Sequence, residues 1–97
     1  MTEAVYNLYT RYHLTYYDAM EKTITSTSYL ELVTWLKEAR ISRGWSIRDL
    51  ANELQCAHHT IQRIEALERR LDVNEYIFYC RKLNLDPIKG LKRFYLL

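Results

Sequence analysis

The sequence predicts an all-α domain, and three observations carry that prediction. Only two glycines and one proline occur in 97 residues, too few for the many tight corners of a sheet-rich fold. Apolar residues recur at spacings of three and four, the period of an amphipathic helix. Between these stripes stand Ser or Asp residues followed three positions later by an acid, which marks a helix start whose first amides are capped by side chains.

The elements follow in order. Val5, Leu8, Tyr9, Tyr12, Tyr16 and Met20 share one helical stripe, while Tyr12, Leu14 and Tyr16 also alternate as a strand would. The longer stripe favours helix, and residues 22–27 read as a polar linker. Five of the nine tyrosines fall in the first seventeen positions, so residues 1–27 form an extension distinct from a domain over residues 28–97. Ser28 and Glu31 have capping-box spacing and open a helix with Tyr29, Leu32, Val33, Leu36 and Ala39 on its apolar face. Gly44 stands where a left-handed cap would end it. Ser46 and Asp49 open a short second helix carrying Leu50, Ala51 and Leu54. Beyond Gln55, Cys56 and Ala57, a third helix spans residues 58–67, with Ile61, Ile64 and Leu67 inward and His58, His59, Gln62 and Arg63 outward. Asp72 and Glu75 open a fourth, whose inner face is Val73, Tyr76, Ile77, Cys80 and Leu83. Asp86 before Pro87 opens a fifth, with Ile88, Leu91, Phe94 and Tyr95 as its apolar side.

Composition narrows the function. A mass of 11.8 kDa allows one small core and excludes a two-domain enzyme with a cleft. Apolar residues at 48% against 27% charged exclude a disordered chain. Two cysteines without a secretory leader point to a reducing, cytoplasmic setting, and no stretch approaches the roughly 20 apolar residues of a membrane span. Net charge is only +2, but residues 1–39 carry three Lys/Arg against five Asp/Glu and residues 40–97 carry eleven against seven. The halves are therefore −2 and +4, which puts the basic character in the helical domain.

Two short helices joined by a three-residue turn, the second polar outward, suit a major groove about 12 Å wide. His58, His59, Gln62 and Arg63 are then the candidate base readers, against the plainer reading of a solvated helix face. Cys56, His58 and His59, even with His13 or Cys80, lack the paired spacing of a zinc site, and both cysteines fall at small inward positions that suit buried thiols. No glycine-rich phosphate loop, paired general acid and base or nucleophile elbow is present. Neither a metal, a cofactor nor an enzymatic activity is expected.

Leu36 and Arg40, Gly44-Trp45-Ser46, Leu50-Ala51 with Leu54, Thr60-Ile61-Gln62-Arg63-Ile64-Glu65 and Leu83 together resemble the helix-turn-helix of the phage-repressor and Cro superfamily, the Xre type, over residues 29–91 without gaps. The resemblance implies a five-helix lambda-repressor-like domain that binds double-stranded DNA in a sequence-specific way. It further implies a transcriptional regulator, with repression from a palindromic operator as the expected mode and phage or mobile-element regulators as the nearest kind. Arg40 and Glu65 occupy positions that form a partly buried ion pair in relatives. Ser46 at the second helix start and Arg69 and Arg70 in the loop match positions that touch phosphates, and Arg43, Arg48 and Thr60 complete that candidate set. The sequence departs from the pattern at Ile47, usually Gln; at Gln55, usually Gly; at Ala57, usually Ser or Thr; and at Leu67 and Leu71, usually Gly and Pro.

One short recognition helix reads too few base pairs to select a site in a genome, so a homodimer is expected. Its candidate interface is Ile88, Leu91, Phe94, Tyr95 and Leu97 at one end with Val5, Leu8, Tyr9, Tyr12 and Tyr16 at the other. The alternative function is a protein-interaction module, an antitoxin or anti-repressor that meets a cognate toxin or other protein through its tyrosine-rich arm.

Overall fold

The structure, a computed structural model, describes residues 26–96. The expectations for the arm, including Val5, Leu8, Tyr9, Tyr12 and Tyr16, and for Leu97 lie outside the described residues. Five helices follow one another: α1 Thr27–Ser42, α2 Ile47–Leu54, α3 His58–Glu65, α4 Val73–Leu83 and α5 Pro87–Leu96. No strand occurs among the described residues.

Four of the five helix starts, all but that of α3, are set by side chains. At α2 the Asp49 amide donates to Ser46 Oγ at 3.1 Å and the Ser46 amide to Asp49 Oδ2 at 2.8 Å. At α4 Asp72 and Glu75 make the same reciprocal pair, at 2.7 and 3.0 Å. At α5 the Ile88 amide donates to Asp86 Oδ1 at 2.9 Å. The first helix departs from expectation. Its cap is Ser26, which accepts from the Tyr29 amide at 3.1 Å, so Ser28 lies inside the first turn. A tertiary contact accompanies this register: the Tyr29 hydroxyl accepts from the Leu71 amide at 2.9 Å and ties α1 to the loop before α4.

The exits are left-handed. Gly44 lies at φ +73°, and Gln55, Leu67 and Asn84 at φ 55°, 62° and 56°. Leu67 in this conformation cannot continue a helix, which is why α3 ends at Glu65 and not at residue 67. Gln55 and Leu67 stand where the family pattern has glycine, so the backbone geometry is kept without the residue that adopts it most easily.

Leu36, Leu50, Ile61 and Cys80 are the most fully enclosed side chains of the core, with Leu32, Ala51, Ile64, Tyr76, Tyr79 and Leu83 around them. The inner face of α4 differs from the expected one. Val73 is 79% exposed in the first turn and Ile77 is half-buried, whereas Tyr79 is only 2% exposed. The buried stripe is Tyr76, Tyr79, Cys80 and Leu83, spaced i, i+3, i+4 and i+7. Cys56 is half-buried and Cys80 buried, both free, and burial pushes both thiols above their usual range.

Helix α1 packs most extensively on α5, and α2 on α3. Gly90 is the close approach on α5: a Cβ there would run into the Tyr76 hydroxyl and the Trp35 ring. Neither neighbour yields easily, because the Tyr76 hydroxyl donates to the Pro87 carbonyl and Trp35 packs against the core. The apolar side of α5 is divided. Phe94 packs against the core, while Ile88, Leu91 and Tyr95 remain exposed.

One ion pair ties α1 to α3. Arg40 donates from Nε to Glu65 Oε2 at 2.7 Å and from Nη2 to Oε1 at 2.9 Å, and its Nη1 reaches the Trp45 carbonyl at 2.7 Å. The two side chains are 9% and 7% exposed, so the pair is buried and bidentate, the geometry that arginine offers a carboxylate.

Two expectations for stability follow from these contacts. Glu65→Ala leaves the Arg40 cation buried and unmatched and should destabilise the domain by about 3–5 kcal/mol, read as a large drop in melting temperature; a melting curve like the parent's would refute the role given to the pair. Gly90→Ala gains about 1 kcal/mol of helix propensity but overpacks the α5 contact, which costs about 1–3 kcal/mol. Its net effect should be a lower melting temperature in thermal unfolding, and a raised one would show that Trp35 and Tyr76 move aside.

Candidate nucleic-acid interface

Helices α2 and α3 meet through Gln55, Cys56 and Ala57 alone. The left-handed Gln55 turns the chain, and its amide together with that of Cys56 returns to carbonyls of α2. Helix α3 then starts at Ala57, which offers no side-chain cap. Its outward face is polar because its apolar residues, Ile61 and Ile64, are consumed by the core. His58, His59, Gln62 and Arg63 are all exposed. His59, Gln62 and Arg63 share one helical face at i, i+3 and i+4, and His58 stands beside it, its ring edge-on to that of His59 with centroids 6.1 Å apart. The structure therefore brings the four candidate base readers together on one short exposed surface. Arg63 makes no ion pair among the described residues.

The candidate phosphate residues have different surroundings. Arg48 is exposed in the first turn of α2. Ser46 is exposed but its hydroxyl already accepts from the Asp49 amide, and the Asp49 carboxylate sits in the same turn, so the negative charge there weakens the attraction of this helix start for an anion. Arg43 is exposed yet engaged by the protein itself: its Nε donates to the Leu83 carbonyl at 3.2 Å and its guanidinium lies 5.1 Å from the centre of the Trp45 ring. Arg69 pairs with Glu75 at 2.7 Å; that hydrogen bond raises the Arg69 pKa and holds the Glu75 carboxyl below its usual range. Arg70 is exposed in the same loop. Thr60 is half-buried, one turn into α3.

Trp45 was not among the sequence candidates. Its carbonyl takes Arg40 and its ring takes Arg43, so it joins two arginines at the corner between α1 and α2. Its position after Gly44 was the available signal, since an aromatic there closes over the end of the preceding helix. Tyr79 was also missed, and its spacing from Tyr76 and Leu83 was the signal. Among the described residues no group of three His, Cys, Asp or Glu side chains is arranged to hold a metal ion, and no helix is long and apolar enough to cross a membrane.

Comparison with known proteins agrees with this geometry. The family described as "Helix-turn-helix domain" matches residues 35–89. A solved structure of an XRE-family like protein from Pseudomonas syringae pv. tomato str. DC3000 superposes with a TM-score of 0.69 at 33% sequence identity, covering 80% of this chain and 95% of that one. A search among curated proteins found no match. With a family match spanning more than half of its residues and a structural relative of this identity and coverage, the chain belongs to the Xre-type helix-turn-helix family of DNA-binding regulators.

Proposed function

We propose that the protein is a sequence-specific repressor that binds a palindromic operator as a homodimer and reads bases through His58, His59, Gln62 and Arg63. The observation that carries the reading is the exposed polar face of α3, braced from behind by the buried Arg40–Glu65 pair. Arg63 is assigned to guanine, because a guanidinium fork can engage O6 and N7 together with about 1–3 kcal/mol of discrimination. Arg48 and Arg70, with Ser46 and Thr60, are assigned to phosphates, which set register and supply the salt-sensitive part of affinity. Arg43 and Arg69 complete that set, each while also serving the protein's own contacts. Repression is inferred from the family resemblance, in which such a domain occupies an operator that overlaps a promoter.

The exposed apolar residues of α5, Ile88, Leu91 and Tyr95 at 62%, 47% and 86% exposure, support a dimer contact. A two-fold dimer would set two α3 helices about 34 Å apart, one turn of DNA. Phe94, which packs toward the core, would back that contact.

Selection of bound duplexes from a random library tests the reading as a whole, and inverted half-sites are the expected product. On the selected duplex, Arg63→Ala should relax preference at one base pair per half-site, whereas Arg70→Ala should weaken all sequences alike and flatten the salt dependence of binding. Equal losses on selected and scrambled DNA for Arg63→Ala would move that residue to the phosphates. Sedimentation at micromolar concentration should give a dimer mass for the intact chain and a monomer mass for Leu91→Asp; a monomer mass for both would remove the solution dimer.

A further inference from the structure

The loop between α3 and α4 is fastened on both sides of Arg70. Where α3 ends, the Arg63 carbonyl accepts from the Glu68 amide at 2.8 Å and from the Arg69 amide at 3.3 Å, and the Leu67 amide donates to the Ile64 carbonyl at 3.1 Å. With Leu67 left-handed at φ 62°, these bonds make the cap that commonly closes a helix. They also attach the loop to the backbone of Arg63, the residue assigned to guanine. The Arg69 side chain is bonded to Glu75 of α4. Beyond Arg70, the Leu71 amide donates to the Tyr29 hydroxyl at 2.9 Å. Arg70 therefore stands between two anchored neighbours, with its own side chain exposed.

Tyr29 is the anchor that comes from farthest along the chain, 42 residues from Leu71. Its side chain is buried in the first turn of α1. Burial raises its pKa, against the opposing influence of the Leu71 amide and the Arg70 charge, so the hydroxyl stays neutral near pH 7. Tyr29 precedes residues 35–89, the span that matches the family, so the contact joins the matched fold to a part of α1 outside it. The bond is also one whose loss is asymmetric. Removing the acceptor alone leaves a partly buried amide without a partner, whereas removing donor and acceptor together can be nearly neutral. A proline at position 71 would remove the donor, since its nitrogen carries no hydrogen and its ring fixes the local backbone. Arg70 and Leu71 lie outside any helix, which suits the extended conformation required before proline.

We propose that Tyr29 is a positioning residue for DNA binding: through the Leu71 amide it fixes the place of Arg70 relative to Arg63, so that the phosphate contact and the base contact stay in register. Without the Tyr29 hydroxyl the loop samples other positions, and affinity falls with the fraction of molecules in which Arg70 is correctly placed. This role rests on the DNA-binding reading; the hydrogen-bonded frame around Arg70 does not.

Tyr29→Phe conserves the ring and removes the acceptor. In the free chain it should speed hydrogen exchange of the Leu71 amide by about fivefold, the worth of one hydrogen bond, and by more than it speeds that of Ile64. An unaltered Leu71 rate would overturn the contact. On the selected duplex the variant should bind about two- to fivefold more weakly than the parent, keep the parent's base preferences and show a flatter salt dependence, as expected of Arg70→Ala. Binding equal to the parent's would overturn the role of Tyr29. Combined with Arg70→Ala, Tyr29→Phe should cost no further affinity, whereas combined with Arg48→Ala its full cost should remain. Equal costs in the two backgrounds would show that Tyr29 acts only on folding as a whole, and would overturn the proposal. The double variant Tyr29→Phe/Leu71→Pro, with neither donor nor acceptor, should recover the parent's affinity to within about twofold, and no recovery would likewise refute the mechanism. A parent chain that binds no duplex sinks the proposed function itself, whereas a parent that binds beside a Tyr29→Phe variant that binds equally sinks only this inference.

Discussion

The guanidinium of Arg40 engages both carboxylate oxygens of Glu65 and the carbonyl of Trp45 at once, and the placement of α3 depends on that arrangement. A helix of eight residues has little stability of its own in water and only two fully buried apolar anchors, Ile61 and Ile64. The carboxylate at its C-terminal end adds a third point of attachment, directional where the other two are not. Because it joins α3 to the longest helix of the described fold, the outward face inherits the rigidity of α1. The base reading proposed for this face needs such rigidity, since a displacement of less than an ångström lengthens a hydrogen bond beyond use.

The distribution of arginines shows how one residue type is divided between architecture and surface. Arg40 is buried in the pair, Arg43 closes the corner over Trp45 and reaches the end of α4, and Arg69 pins its loop to Glu75. The first two join segments distant in sequence, and the third ties a loop to the helix that follows it. Arg48 and Arg63 make no such contact among the described residues. The excess positive charge of residues 40–97 therefore overstates the charge available to a polyanion, and the part that remains available includes Arg63 on α3.

Much of this was legible in the sequence because it is local. Ser46 with Asp49, Asp72 with Glu75, and Asp86 before Pro87 are short-range signals, and each marks a helix start in the structure. The outward position of His58, His59, Gln62 and Arg63 followed from the inward pull of Ile61 and Ile64. What escaped was decided by distant partners. Ser26 and Ser28 are both able to cap a helix, and the seat of Tyr29 against Leu71 accompanies the earlier choice. Val73 fits the apolar period of α4, yet it lies in the first turn, beyond the reach of the core. Tyr79 was passed over because tyrosine is commonly half-exposed with its hydroxyl in water, whereas here the whole side chain is enclosed.

The left-handed residues at the exits of α2 and α3 bear on how this domain assembles. Gln55 and Leu67 carry side chains into a conformation that costs about 1–2 kcal/mol relative to the right-handed alternative, and neither has the short polar side chain that eases Asn84 into the same geometry. Both corners of the recognition unit are therefore held against local preference by the packing of Leu50, Ile61 and Ile64. A fragment containing only α2, the turn and α3 would lack much of that packing and would relax out of shape at both ends. The α2–α3 unit, to which base reading is assigned, is thus not an autonomous motif grafted onto a support. It takes its form only when α1 and α4 close around it, so its geometry and the global folding transition are gained and lost together.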